Sequence, residues 1–308
     1  MEDYPNTLLE FEERFATEDA CRQYLAALRW PQGFRCPRCH SDESWRMRRD
    51  LYRCRRCDYE VSLTAGTLFQ DTRKPLRVWF RAIWHVTNQK QGISALGLKR
   101  ALGLGNYRTA WTWLHKLRRA MVRPGRDRLR GGQVEVDEAF VGGPRPGKRG
   151  RGAAGKVPIL VAVELSEDGR IGRIRLRRLE DASMMTLHEA VAACVEPGAT
   201  VQTDGWAGYN ELEMCGYAHN VVRPAGKEGE DLLPSVHRVV SLLKRWLLGT
   251  HQGATRPSHL DYYLDEFTFR FNRRTSRSRG KLFYRLVQQA VQIDPVPGRS
   301  LVGGFQKG

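Results

Sequence analysis

In the first part of the chain apolar residues recur every three or four positions; further on they alternate. Leu8, Phe11, Phe15, Cys21, Tyr24, Leu25 and Leu28 keep helical spacing up to Arg29-Trp30-Pro31, which predicts two short helices over residues 1–30. From 31 to 70 the periodicity gives way to polar and basic residues set around cysteines, closing on a strand-like run from Val61 to Phe69. Helical spacing resumes at Leu76, Trp79, Phe80, Ile83 and Val86, and Ser94 stands where a second short helix needs its cap. After the glycine-rich turn Leu102-Gly-Leu-Gly-Asn, a third stripe runs through Ala110, Trp111, Leu114, Leu117 and Met121. Three helices joined by such a turn predict a helix-turn-helix over 71–130. A three-helix packing module whose basic face is only solvated has the same pattern, so this pattern alone leaves both open.

Beyond residue 131 the period becomes two. Residues 133–141 alternate, 157–165 form a mostly apolar run, and 171–179 alternate Ile and Leu with Gly and Arg, which together predict a three-stranded meander. A helix over 182–195, a short strand from Ala199, a helix over 206–213, a strand over 218–223 and a long helix over 235–248 follow. The order βββαβαβα predicts an α/β catalytic domain of RNase H-like fold over 131–290, a mixed five-stranded sheet with helices, followed by a tail over 291–308.

Charge narrows the partner. The 308 residues carry 51 Lys+Arg against 34 Asp+Glu, a formal +17, yet residues 1–20 sum to −6, so the remainder carries +23. Arg outnumbers Lys 41 to 10, and Arg is the better bidentate ligand for phosphate and guanine. A hydrophobic share of 41% excludes a wholly disordered basic tail, and no apolar run approaches the ~18 residues of a membrane span. The N-terminus lacks the layout of a secretory signal, so the expected location is cytoplasmic and the seven cysteines are expected as thiols or metal ligands. Arg108, Lys116, Arg118 and Arg119 lie on the third helix of the helix-turn-helix, and Arg123, Arg126, Arg128 and Arg130 follow in a linker; all are candidate phosphate contacts. Lys148, Arg149 and Arg151 lie in a segment too glycine-rich to pack, expected as a flexible hairpin tip touching DNA backbone or else as a solvated loop.

Cys36, Cys39, Cys54 and Cys57 form two C-x2-C pairs, the spacing with which two knuckles bring four thiolates around one Zn²⁺. Cys21, Cys194 and Cys215 stand singly and are expected as small packed residues. Asp137 on the first strand of the meander and Asp204 just after the fourth strand occupy the two places where this fold brings carboxylates to paired Mg²⁺ or Mn²⁺ ions. For a third ligand the sequence leaves two candidates. His237 lies seven residues before Lys244, on the same face of the long helix; Glu266, beside Asp265, stands off the apolar line of a later helix and is expected to face solvent or pair with Arg270, Arg273 or Arg274.

These motifs resemble the prokaryotic insertion-sequence transposases of the DDE type that bear an N-terminal zinc ribbon. The resemblance rests on the four cysteines, on Val136-Asp137-Glu138-Ala139-Phe140-Val141-Gly142-Gly143, on Asp204-Gly205-Trp206, on Val236-His237-Arg238, on 243–251 and on 266–274. It implies the catalytic set Asp137, Asp204, His237 and Lys244, structural Zn²⁺, two catalytic Mg²⁺ or Mn²⁺ ions, and double-stranded DNA bound by a homodimer or higher synaptic oligomer, with Arg273 and Arg274 steering strands. Members of the group often have Ser-Asn-Leu-Lys where this chain has Ser241-Leu242-Leu243-Lys244. A non-catalytic DNA-binding regulator and a structure-selective nuclease are the alternative functions.

Overall fold

The computed structural model describes residues 2–47, 51–122, 128–130, 132–142, 156–224, 231–253 and 256–302. The chain divides into two compact units, one made of residues 1–121 with 276–304, the other chiefly of residues 122–275.

The first unit opens with helices α1 (Leu8–Arg14) and α2 (Glu18–Arg29), whose N-caps Thr7 and Thr17 accept hydrogen bonds from the Glu10 and Ala20 backbone amides. A small antiparallel sheet follows, in the order β1 (Ser44–Arg46), β2 (Leu51–Cys54), β3 (Glu60–Ser62). Helices α3 (Leu76–Asn88), α4 (Ala95–Ala101) and α5 (Tyr107–Arg119) come next, α4 capped by Ser94 as its position predicts and α5 capped by Asn106. Trp79 of α3 stacks on Trp113 of α5 with ring centroids 3.7 Å apart.

The second unit is built on a five-stranded sheet. Strand β4 (Gln133–Val141) pairs antiparallel with β5 (Val157–Leu165), which pairs antiparallel with β6 (Ile171–Arg178). After helix α6 (Met184–Cys194), strand β7 (Thr200–Thr203) lies parallel to β4, and β8 (Ala218–Val221) parallel to β7, giving the order β6-β5-β4-β7-β8. This is the RNase H-like topology expected. The helix anticipated over 206–213 is instead two short 3-10 turns, Ala207–Tyr209 and Leu212–Cys215, because Glu211 between them adopts φ 64°. Helices α7 (Pro234–His251) and α8 (Leu260–Phe271) complete the unit.

Strand β4 is central, and side-chain alternation sends its residues to two cores. Val134 and Val136 pack with Leu187 and Val191 of α6 and with Tyr209; Ala139 and Val141 pack with Val236, Val239 and Leu243 of α7 and with Leu264 and Phe267 of α8. Asp137 therefore points to the α7 side.

The last helices, α9 (Arg279–Ala290) and α10 (Gly298–Val302), belong to the first unit. Phe283 of α9 is fully buried and meets Phe11 and Phe80 at centroid distances of 5.3 and 5.6 Å, within an aromatic core that includes Phe15, Tyr24 and Trp84. The boundary drawn at 290 from sequence thus moves to about 275: burying Phe283 among these rings outweighs any continuation of the catalytic unit. No helix among the described residues is long and apolar enough to cross a membrane.

Candidate active site and metal centre

Asp137 sits at the middle of β4, opposite Val161 of β5, with 17% of its side chain exposed. Its Oδ1 accepts the Glu138 amide at 2.8 Å. Burial, followed by the neighbouring Glu138 and Asp204 carboxylates, pushes its carboxyl up to about 7, outweighing the opposing pull of the Glu138 amide and His237.

Asp204 follows β7 in a turn that the sequence fixes tightly. Its Oδ1 accepts the Trp206 amide at 3.0 Å, and the Gly205 amide donates to Thr203 Oγ1 at 3.2 Å. Gly205 has φ +81°, and a Cβ there would lie 2.7 Å from Val221 Cγ1. Only glycine meets both conditions without strain. Since β4 and β7 are parallel neighbours with Glu135 opposite Gln202, Asp137 within β4 and Asp204 just past β7 lie at corresponding positions along the two segments.

His237, in the first turn of α7, brings Nε2 to 3.7 Å from Asp137 Oδ2, while Nδ1 lies 2.5 Å from Asp231 Oδ1. Adjacent ligands of one octahedral ion at ~2.1 Å lie ~3 Å apart, so this pair is close to a shared coordination sphere. The Asp231 contact sets the proton on Nδ1 and turns the Nε2 lone pair toward Asp137, the usual arrangement of a metal-binding imidazole. A carboxyl pushed toward neutrality by burial and then by other acids is also one that a dication would return to its charged form. The donor set thus fits a hard divalent cation in chemistry. Asp137, Asp204 and His237 do not close to mutual ligand separations of 4.8 Å; among the described residues the four cysteines alone do so. Lys244 is exposed, two turns along α7 from His237.

Glu266 takes the second of the courses expected of it, pairing with Arg270 instead of facing solvent. It is 1% exposed, and its Oε1 accepts from Arg270 Nε (2.9 Å) and Nη2 (2.6 Å) in a buried ion pair. Asp265 is buried too, so of the two courses expected of it the solvent-facing one fails. Leu242 packs against the apolar cluster beneath α7, as a hydrophobic residue must on that face.

The cysteines form the second centre. Cys36 Sγ lies 3.6 Å from Cys57 Sγ and Cys39 Sγ 3.5 Å from Cys54 Sγ, all four within 4.8 Å of one another. Tetrahedral Zn–S bonds of ~2.3 Å require sulfurs ~3.8 Å apart, so the quartet fits Zn²⁺. The two knuckles match: the His40 amide donates to Cys36 O at 3.0 Å and the Asp58 amide to Cys54 O at 3.1 Å, with His40 and Asp58 both left-handed (φ 59° and 57°). His40 is therefore a turn residue.

Residues 128–272 match the ISXO2-like transposase domain, and residues 16–60 match the transposase zinc-ribbon domain. The chain belongs to the insertion-sequence transposases of the DDE type with a zinc ribbon. A protein of Halobacterium salinarum described as an uncharacterized protein in transposable element ISH50 is 28% identical to it over 293 residues, covering 87% of this chain and 94% of that one. The catalytic core domain of BIV integrase superposes with a TM-score of 0.31 at 13% identity, over 44% of this chain and 81% of that chain.

The transposase's expected DNA contacts fare unevenly. Arg108 is exposed in the first turn of α5. Arg118 is 1% exposed, with Nη1 3.4 Å from His115 Nε2. It cannot reach a phosphate from there; its place at the α5 C-terminal turn makes it part of the core. Burial, with Arg119 adding to it against Asp71, holds Lys116 below its ordinary 10.5, and Arg119 donates to Asp294 O at 3.2 Å. Arg130 pairs with Glu196 at 3.0 Å. Arg273 lies over the Phe269 ring at 4.1 Å, and Arg274 donates to Gly172 O at 2.9 Å and to Ile171 O, tying the end of α8 to β6. Lys148, Arg149 and Arg151 lie outside the described residues, as do Arg123 and Arg126.

Sequence reasoning missed Asp231, which precedes the helix start marked by Pro234 and carries no periodic signal. It also gave no role to Glu135 and Glu138, although two further acids flanking an Asp on a buried strand are a signal in themselves.

Proposed function

We propose that this transposase binds the terminal inverted repeats of its own element and performs metal-dependent DNA cleavage and strand transfer at Asp137, Asp204 and His237. The observation that carries this reading is the approach of His237 Nε2 to Asp137 Oδ2 at 3.7 Å, with Nδ1 secured by Asp231. Two Mg²⁺ or Mn²⁺ ions, when bound, supply the attacking hydroxide and stabilise the leaving oxygen. The chain's residues hold that arrangement: one carboxylate comes from the middle of β4 and the other from just after the neighbouring β7, His237 fixes the α7 side, and Lys244 on the same helix face pairs with a phosphate.

In the first step the oxygen of water bonds to phosphorus and the 3′ oxygen departs, leaving a 3′-OH. In the second that 3′-OH bonds to a target phosphorus and displaces its 3′ oxygen, so no protein–DNA bond forms. The exposed Arg108 and the basic helix-turn-helix around it position the duplex, and a dimer or higher oligomer pairs the two ends. Imidazole beside carboxylate favours Mn²⁺ over Mg²⁺ as the supporting ion.

The test uses DNA carrying the repeats that flank the gene. Asp137→Ala and Asp204→Ala abolish Mn²⁺-dependent cleavage and leave binding intact; retained cutting refutes the assignment. Specific binding by the wild type without nicking in any divalent ion would make the protein a regulator, and cutting without joining would make it a nuclease.

A further inference from the structure

We propose that Glu135 and Glu138, the two carboxylates that bracket Asp137 on β4, are positioning residues that lock the other two arms of the metal site to this strand. The inference rests on the functional reading above and extends it to residues that touch neither metal nor DNA.

Glu135 lies on the same face of β4 as Asp137 and is 5% exposed. Its Oε2 accepts the backbone amides of Ser235 and Val236 at 3.0 and 3.1 Å. These are orphan donors of the first turn of α7, whose N-cap, Leu233, offers no side-chain acceptor. The other capped helices of the chain use a Ser, Thr or Asn immediately before the helix. Helix α7 is capped from a strand a hundred residues away. A local cap stabilises a helix end but leaves the helix free to slide; a cap fixed on β4 sets its register against the sheet. His237 follows the second of the two donors directly, and Asp137 is two residues along the strand from Glu135.

Glu138 points to the opposite face and is 8% exposed. Its Oε2 accepts the Tyr209 hydroxyl at 2.9 Å. Tyr209 is fully buried at the end of the 3-10 turn that follows Asp204-Gly205-Trp206. Close packing fixes this turn further: a Cβ on Gly208 would lie 2.6 Å from Leu187 Cδ1 and 2.8 Å from Trp206 Nε1. Glu138 thus anchors the turn carrying Asp204, as Glu135 anchors the helix carrying His237. Three acids within four residues of one strand divide the work: the middle one faces the metals and its neighbours hold the partners.

The test measures Mn²⁺ binding to the full zinc-loaded chain by the electron paramagnetic resonance of free Mn²⁺, alongside the unfolding temperature. Asp137→Asn abolishes the tightest binding. Glu135→Ala and Tyr209→Phe raise the dissociation constant about tenfold in protein that is still folded at the assay temperature, as loss of an orienting partner does. Glu135→Gln keeps an oxygen for the two amides but loses the charge that complements the helix N-terminus, and it falls between wild type and Glu135→Ala. Residues that only stabilised the fold would lower the unfolding temperature and leave Mn²⁺ affinity unchanged. That result in Glu135→Gln and Tyr209→Phe, both of which preserve side-chain volume, overturns the proposal whatever the alanine variant does. Binding that survives Asp137→Asn would instead refute the metal site itself.

Discussion

Replacing Asp137 by Asn should stabilise the protein while destroying its activity. The structure holds this carboxyl at about 7 instead of 3.8, chiefly by burial and then through Glu138 and Asp204. At 1.36 kcal/mol per tenfold change in proton affinity, the unfolded chain gains about 4 kcal/mol from ionising this group at neutral pH. The sign is that of a raised acid: the folded state suffers no penalty below the unfolded value, loses stability as pH climbs through the interval, and levels off above the folded value. Asparagine imitates the neutral acid and escapes the loss. With 17% of the side chain exposed, a gain of roughly 2–4 kcal/mol is expected at pH 8 in buffer free of Mg²⁺ and Mn²⁺, shrinking to about 1 kcal/mol at pH 4.5. For a unit of this size that is a rise of about 5–10 °C in its calorimetric transition. Mn²⁺ at a hundred times its dissociation constant adds about 2.7 kcal/mol to the wild type and little to the variant, which closes the gap. Equal transitions at pH 8 without divalent ions, or a difference independent of pH, would refute the electrostatic account.

Three further outcomes follow from the geometry. Cys54→Ser removes one of four converging thiolates, so the purified protein loses its stoichiometric zinc, read by metal analysis, and the ribbon loses ordered structure, read by amide hydrogen exchange over 36–62. Arg108→Ala lowers DNA affinity and reduces the slope of log affinity against log salt by about one, whereas Arg118→Ala, at a site 1% exposed, lowers the unfolding temperature without a separate effect on that slope. Asp231→Asn leaves the fold intact but weakens Mn²⁺-supported cleavage about tenfold, as loss of the partner that orients His237 does.

Much of this architecture was legible because periodicity reports burial. The alternation in 133–141 and the apolar run 157–165 gave the central strands, and the spacing of the four cysteines gave the metal centre whole. The two aspartates followed from their places in that order. What escaped was tertiary. A lone cap at Ser94 is visible in sequence, but Glu135 capping α7 is a contact across a hundred residues. Arg118 looked like surface because its charge suggested it, yet its position on α5 lies beside Leu114 and Leu117, and burial follows the helix face, not the side-chain type. Glu266 was open to solvent or to an arginine, and the structure chooses Arg270, one turn away and buried with it. The helix over 206–213 failed at Glu211, where left-handed backbone breaks a pattern that periodicity had joined.

The place of Phe283 sets a timetable for the newborn chain. Ribosomes release residues in order, so α1, α2 and α3 emerge early, but the aromatic core they build lacks Phe283 until the whole of 122–275 has been synthesised. Until then Phe11 and Phe80 lack one of their ring partners and the first unit is incomplete. A chain stopped before residue 279 yields a five-stranded sheet with its carboxylates in place and a first unit whose aromatic core is unfinished. The reverse product, a complete first unit with no second, never arises from early termination.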